Sequence, residues 1–119
     1  MKIKEVAVVG AGLMGIQIAL NAALHGYSVS VCDTFPSALE KAQTWVDPYL
    51  AGRVSKGKLS EAQAAEGKAN LSYWGNTAEG CKNADLVIEA IIEKEDVKRE
   101  LFGLLSQTCR PDAILTSNS

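Results

Sequence analysis

The sequence predicts an α/β fold, a parallel sheet doubly wound by helices. Short β-branched runs alternate with helical stretches along the chain, in the order β-α-β-αα-β-α-β-α-β. Runs such as VAVV and LVIEA are almost continuously apolar, as strands covered on both faces must be. A glycine-rich turn, GAGLMG, stands between the first strand and the first helix.

Each element follows from local chemistry. Residues 3–9 (IKEVAVV) form a strand that stops at Gly10. Residues 13–24 are helical in composition and apolar nearly all round, and Gly26 supplies the left-handed position that ends the helix. Residues 27–32 alternate, with Val29 and Val31 on one face, and stop at Asp33. Pro36 suits a first helical turn, and Ser37 with Glu40 has capping-box spacing. A helix begun there should kink or restart at Asp47-Pro48, because a proline ring clashes with the preceding turn. After a polar turn, Ser60 and Gln63 form a second capping box, and a short helix should run to about Glu66 before Gly67. Residues 36–67 therefore read as a helical hairpin inserted between strands 2 and 3, longer than a plain crossover needs. ANLSYW is the third strand, GNT a turn, and ADLVIEA the fourth strand. Residues 96–107 put Val97, Leu101, Leu104 and Leu105 on one helical stripe, and CRPD turns the chain into a last strand, AILT.

At 119 residues there is room for one domain, and a composition 47% hydrophobic and 22% charged is that of a globular core. A net charge of -2 gives no electrostatic reason to expect a nucleic acid partner. Cys32, Cys81 and Cys109 are odd in number and widely spaced, and His25 is the only histidine. That pattern fits neither a disulfide framework nor a zinc site, and a reducing, cytoplasmic setting is expected. His25, just before Gly26, reads as a helix-end residue near the dipole. Residues 6–32 carry no Asp, Glu, Lys or Arg, a length that would span a membrane. Gly10, Gly12, Gly15, Gln17, Asn21 and His25 interrupt the stretch, which reads as buried strand, helix and strand, with no membrane partner expected.

The turn carries the chemistry. Gly10-x-Gly12-x-x-Gly15 follows a strand and opens a helix, and the next strand ends in Asp33, 18 positions after Gly15. Gly10 permits the tight turn, Gly12 lets a pyrophosphate approach a backbone without Cβ, and Gly15 lets the helix pack on the sheet. Backbone N–H groups from Ala11 to Met14, chiefly those of Leu13 and Met14 at the helix start, face the phosphates. Asp33 accepts from the adenosine ribose hydroxyls and repels a 2′-phosphate, which favours NAD over NADP. Two other readings exist: a close-packed strand-helix turn with Asp33 solvated, and the glycine turn of an S-adenosylmethionine-dependent methyltransferase. The agreement of turn, helix and acidic strand end favours the dinucleotide.

Three blocks, VAVVGAGLMG, ADLVIEAIIEKEDVKRELF and ILTSNS, together resemble the NAD-binding N-terminal domain of the 3-hydroxyacyl-CoA dehydrogenase family, in its short-chain, 3-hydroxybutyryl-CoA dehydrogenase-like form. The resemblance covers all 119 residues and implies a Rossmann-type domain over 1–119. It implies that the backbone at Ala90 and Ile91 lies beside NAD, that Glu93 contacts it, and that Lys98 lies near it. Ser117 and Asn118 match the start of the family's S-N-T-S segment, which lines the nicotinamide and substrate side; Ser119 stands where threonine is usual. The implied activity is oxidation of the 3-hydroxyl of an acyl-CoA, as in fatty acid β-oxidation, by hydride transfer to NAD. The family's basic histidine, in an H-F-x-x-P segment, and its helical dimer-forming domain have no counterpart here. No catalytic residue is therefore expected in this chain, which should bind NAD without turnover and belong to a longer, homodimeric protein. Cut at this point, the last strand is expected to leave an open sheet edge and to promote self-association. The hairpin resembles the arm that lies along CoA, and Lys56, grouped with Arg53 and Lys58, is the candidate for its phosphates; a solvated polar turn is the other reading. Alternatives for the whole are a non-catalytic dinucleotide-binding module and the cofactor half of a related hydroxy-acid or carnitine dehydrogenase.

Overall fold

A computed structural model describes residues 3–90 and the backbone of residues 114–117. The elements are β1 (Glu5–Val9), α1 (Leu13–Leu24), β2 (Ser28–Cys32), α2 (Pro36–Ser55), α3 (Glu61–Ala69), β3 (Leu71–Trp74), α4 (Thr77–Cys81), β4 (Leu86–Glu89) and β5 (Ile114–Ser117). The helix expected over residues 96–107 lies outside the described residues.

The strands form one parallel sheet in the order β3-β2-β1-β4-β5. The chain winds outward from β1 through β2 to β3, then crosses back to β4 and β5 on the other side. The switch point lies between β1 and β4, where open α/β sheets bind ligands. In-register pairs Val9 with Cys32, Val9 with Glu89, and Glu89 with Ser117 bring the strand ends to one edge.

Successive β1 residues point to opposite faces and both faces are covered, which explains the unbroken apolar run. Val6 and Val8 join Ile16, Leu20, Val29, Val31, Val46 and Leu50 under α1 and α2. Ala7 and Val9 join Cys32, Cys81, Ala84 and Val87 on the opposite face. Asp85 ties the starts of β1 and β4 together: its Oδ2 accepts from the N–H groups of Lys4 and Glu5, each at 2.9 Å.

Helix α1 has the expected bounds, Gly26 has φ of 94°, and the Nδ1–H of His25 donates to the Asn21 carbonyl at 2.7 Å. The Ser60 capping box also forms, with Gln63 N–H donating to Ser60 Oγ at 3.0 Å and Ser60 N–H to Gln63 Oε1 at 2.8 Å.

Three expectations are corrected. Helix α2 runs 20 residues through Pro48 without a restart. Val46 and Leu50, on either side of the proline, are buried, and their packing offsets the hydrogen bond it cannot donate. Ser37 does not cap α2: Phe35 is the N-cap, without a side-chain cap bond, and Pro36 occupies the first turn. Gly67 does not end α3, which continues to Ala69. A Cβ at Gly67 would lie 2.5 Å from Leu24 Cδ2, so this glycine allows α3 to press against the end of α1.

Candidate functional site

At the switch edge the glycine turn is held from both sides. Gly10 has φ of 109°, and its N–H donates to the Cys32 carbonyl at 2.8 Å. Val9 O accepts from Ala90 N–H at 2.8 Å. Only glycine adopts that φ without strain.

The other two glycines differ in what demands them. A Cβ on Gly15 would stand 1.8 Å from the Gly10 carbonyl oxygen, so the protein's own packing requires glycine there. That Cβ would also lie 3.7 Å from Ala90 Cβ, which puts the small Ala90 beside the turn. At Gly12 an added Cβ meets nothing within 4 Å, and φ of -67° suits any residue. Among the described residues no neighbour demands Gly12, and its backbone stands open to an approaching ligand. Helix α1 starts at Leu13 with no side-chain cap and no acidic residue in its first turn, an arrangement suited to an anion.

Asp33 belongs to the same construction. Its Oδ2 accepts from Ala11 N–H and its Oδ1 from Phe35 N–H, both at 2.9 Å. Each oxygen keeps acceptor capacity for a ribose hydroxyl. The carboxylate is thus fixed relative to the glycine turn before any ligand arrives, which lowers the ordering cost of binding. Beside it opens a cleft of about 460 Å³, with Ala11, Gly12, Leu13, Phe35, Lys41 and Trp45 on its walls.

The structure therefore brings together Gly10, Ala11, Gly12, Leu13, Gly15, Asp33 and Ala90, with Met14 in the exposed first turn of α1. Ile91, Glu93, Lys98 and Asn118 lie outside the described residues. Lys56 caps the far end of α2, about 30 Å from Pro36 by helical rise, and is not part of this cluster. Two features were not legible in the sequence. Glu89 is fully buried at the end of β4, in register between Val9 and Ser117. Cys32 and Cys81 are both buried and meet across β2 and α4; their mutual hydrogen bond, with burial, pushes the Cys81 thiol far up. A thiol held protonated in this way is a poor nucleophile.

Among the described residues no group of three His, Cys, Asp or Glu side chains is placed to hold a metal ion, and no helix is long and apolar enough to cross a membrane.

A glycine turn with its middle backbone open, bonded to an acidic strand end at the switch edge, defines a dinucleotide-binding domain of Rossmann type. Comparison with known proteins narrows this. The profile of the family "3-hydroxyacyl-CoA dehydrogenase, NAD binding domain" matches residues 5–119, and the chain belongs to that family, whose cofactor is NAD. A probable 3-hydroxyacyl-CoA dehydrogenase of Caenorhabditis elegans is 39% identical over 99% of this chain and 40% of its own length. A probable 3-hydroxybutyryl-CoA dehydrogenase of Bacillus subtilis is 39% identical over 100% of this chain and 41% of its own length. The crystal structure of 3-hydroxybutyryl-CoA dehydrogenase from Escherichia coli superposes with a TM-score of 0.95 at 36% identity, over 100% of this chain and 25% of that one. The chain thus spans about two fifths or less of these relatives.

Proposed function

We propose that this chain is the cofactor half of an NAD-dependent 3-hydroxyacyl-CoA dehydrogenase, which oxidises the 3-hydroxyl of an acyl-CoA to the ketone. The observation that carries the cofactor assignment is the bond from Ala11 N–H to Asp33 Oδ2, which makes the phosphate turn and the ribose carboxylate one rigid unit. Family membership supports the reaction class.

In this reading NAD supplies the hydride acceptor, and this chain binds and orients it. The turn from Gly10 to Gly15, with Ala11, Leu13 and Met14, receives the pyrophosphate, and Asp33 receives the adenosine ribose. Ala90, Ile91, Glu93 and Lys98 continue the site past β4. Asn118 stands on the nicotinamide side and reaches the substrate, and Lys56 meets a CoA phosphate at the distal end of α2. The base that takes the hydroxyl proton comes from outside these 119 residues, from a protein that is homodimeric through a helical domain. An acyl-CoA partner is supported by the names of the relatives, and a reducing, cytoplasmic setting by the free, buried Cys32 and Cys81. A net charge of -2 gives no electrostatic reason for a nucleic acid partner.

Titration with NADH should show binding, and Asp33→Ala should weaken it by about tenfold, the loss of charge-assisted bonds to the ribose. Unchanged affinity in Asp33→Ala refutes the ribose assignment. Turnover of 3-hydroxybutyryl-CoA by residues 1–119 alone refutes the location of the base.

A further inference from the structure

Phe35 is the most exposed large apolar side chain among the described residues, 69% open to solvent. Single exposed apolar residues are common and need no ligand to explain them. Phe35 differs in how firmly its backbone is held and in what surrounds it. Its N–H donates to Asp33 Oδ1 at 2.9 Å, its carbonyl accepts from Ala38 N–H at 3.0 Å, and Pro36 follows with a fixed φ. The ring therefore stands on a backbone fixed by the same carboxylate that meets the ribose.

That ring borders the 460 Å³ cleft, whose other walls include Ala11, Gly12 and Leu13 of the glycine turn and Trp45 of α2. Among the described residues Lys41 is the one charged side chain on those walls, and no carboxylate lines them. An adenine base is attached directly to the ribose that Asp33 receives, so it must settle within a few ångströms of that carboxylate. Its flat, weakly polar faces match an open aromatic ring on an apolar wall.

We propose that Phe35 is the stacking platform for the adenine base of NAD, positioned by the Asp33 carboxylate. The inference rests on the assignment of Asp33 to the adenosine ribose. Coenzyme A carries an adenine as well. Its ribose bears a 3′-phosphate, which a carboxylate at Asp33 repels, whereas the adenosine ribose of NAD offers a free diol. The cleft is therefore assigned to the cofactor.

Phe35 supports none of the core, so its variants keep the fold. Phe35→Ala, Phe35→Leu and Phe35→Trp are compared with the unaltered protein for ADP-ribose affinity by calorimetry. The emission of the etheno-adenine analogue of ADP-ribose is followed at saturation, because stacking on an aromatic ring quenches it. Phe35→Ala should bind ADP-ribose roughly tenfold more weakly, and Phe35→Trp should restore affinity. Quenching should persist in Phe35→Trp and disappear in Phe35→Leu with the ligand still bound, a readout that a merely structural role would leave unmoved. ADP-ribose affinity within twofold of the unaltered protein in Phe35→Ala overturns the proposal. So does a loss of coenzyme A binding with ADP-ribose unaffected, which would give the cleft to the substrate. If the unaltered protein binds neither NADH nor ADP-ribose, the dinucleotide reading itself falls, whereas binding insensitive to Phe35 removes only the stacking platform.

Discussion

The glycine turn and the α2–α3 hairpin lie on the same sheet but are built by opposite means. In the turn, backbone meets backbone: Gly10 holds a positive φ, and Gly15 sits against the Gly10 carbonyl with no space for one more carbon. In the hairpin, side chains meet side chains, and the same residue types that break other helices are absorbed. Pro48 stays inside α2, and Gly67 stays inside α3. Contacts between backbones cannot relax, whereas side chains can change rotamer. The cofactor end should therefore tolerate little and the hairpin much.

The hardest test of that contrast is Gly15→Ala. With the new Cβ 1.8 Å from Gly10 O, either the helix or the turn must move. The expected loss is about 3 kcal/mol or more of stability, read by chemical denaturation. An unchanged midpoint would show that the turn relaxes as freely as the hairpin.

Next is Pro48→Ala, which returns a donor to α2. The change should stabilise the protein by about 2 kcal/mol, within the range for proline in a helix interior, and raise Tm. A fall in Tm would mean that the proline itself helps hold the hairpin.

Gly12→Ala separates folding from binding. The added methyl meets no atom of the described residues within 4 Å. Stability should hold within about 1 kcal/mol, while NADH affinity should fall about tenfold because the pyrophosphate loses its approach. Equal loss in both measurements would place the demand for Gly12 inside the fold.

Gly67→Ala should have the smallest effect. A Cβ there meets the flexible end of Leu24, at 2.5 Å from Cδ2. The helix-propensity gain of about 1 kcal/mol and the cost of moving Leu24 off its rotamer nearly cancel. A loss as large as that of Gly15→Ala would erase the distinction between the two regions.

The elements were legible in the sequence wherever a local pattern carries the physics. The bounds of α1, the left-handed Gly26 and the Ser60 capping box rest on residues within one or two turns of each other, and all are observed. The capping box at Ser37 is absent because α2 starts earlier, with Phe35 as N-cap and its N–H held by Asp33 Oδ1, so Ser37 already lies inside the first turn, a shift that spacing cannot reveal. Pro48 and Gly67 look like breaks in the sequence because propensity counts what a residue costs in isolation and omits the packing of Val46, Leu50 and Leu24.

The sequence by itself determined the alternation of strands and helices, the glycine spacing and the acidic end of β2, since period, turn chemistry and charge are local properties. Only the tertiary structure decided how they combine. Residues 22 positions apart in the chain, Ala11 and Asp33, are joined by one hydrogen bond, and Cys32 meets Cys81 across the sheet face. Such pairings depend on strand order and register, which arise when both faces of β1 are buried at once. That burial places Asp33 and Phe35 beside the turn.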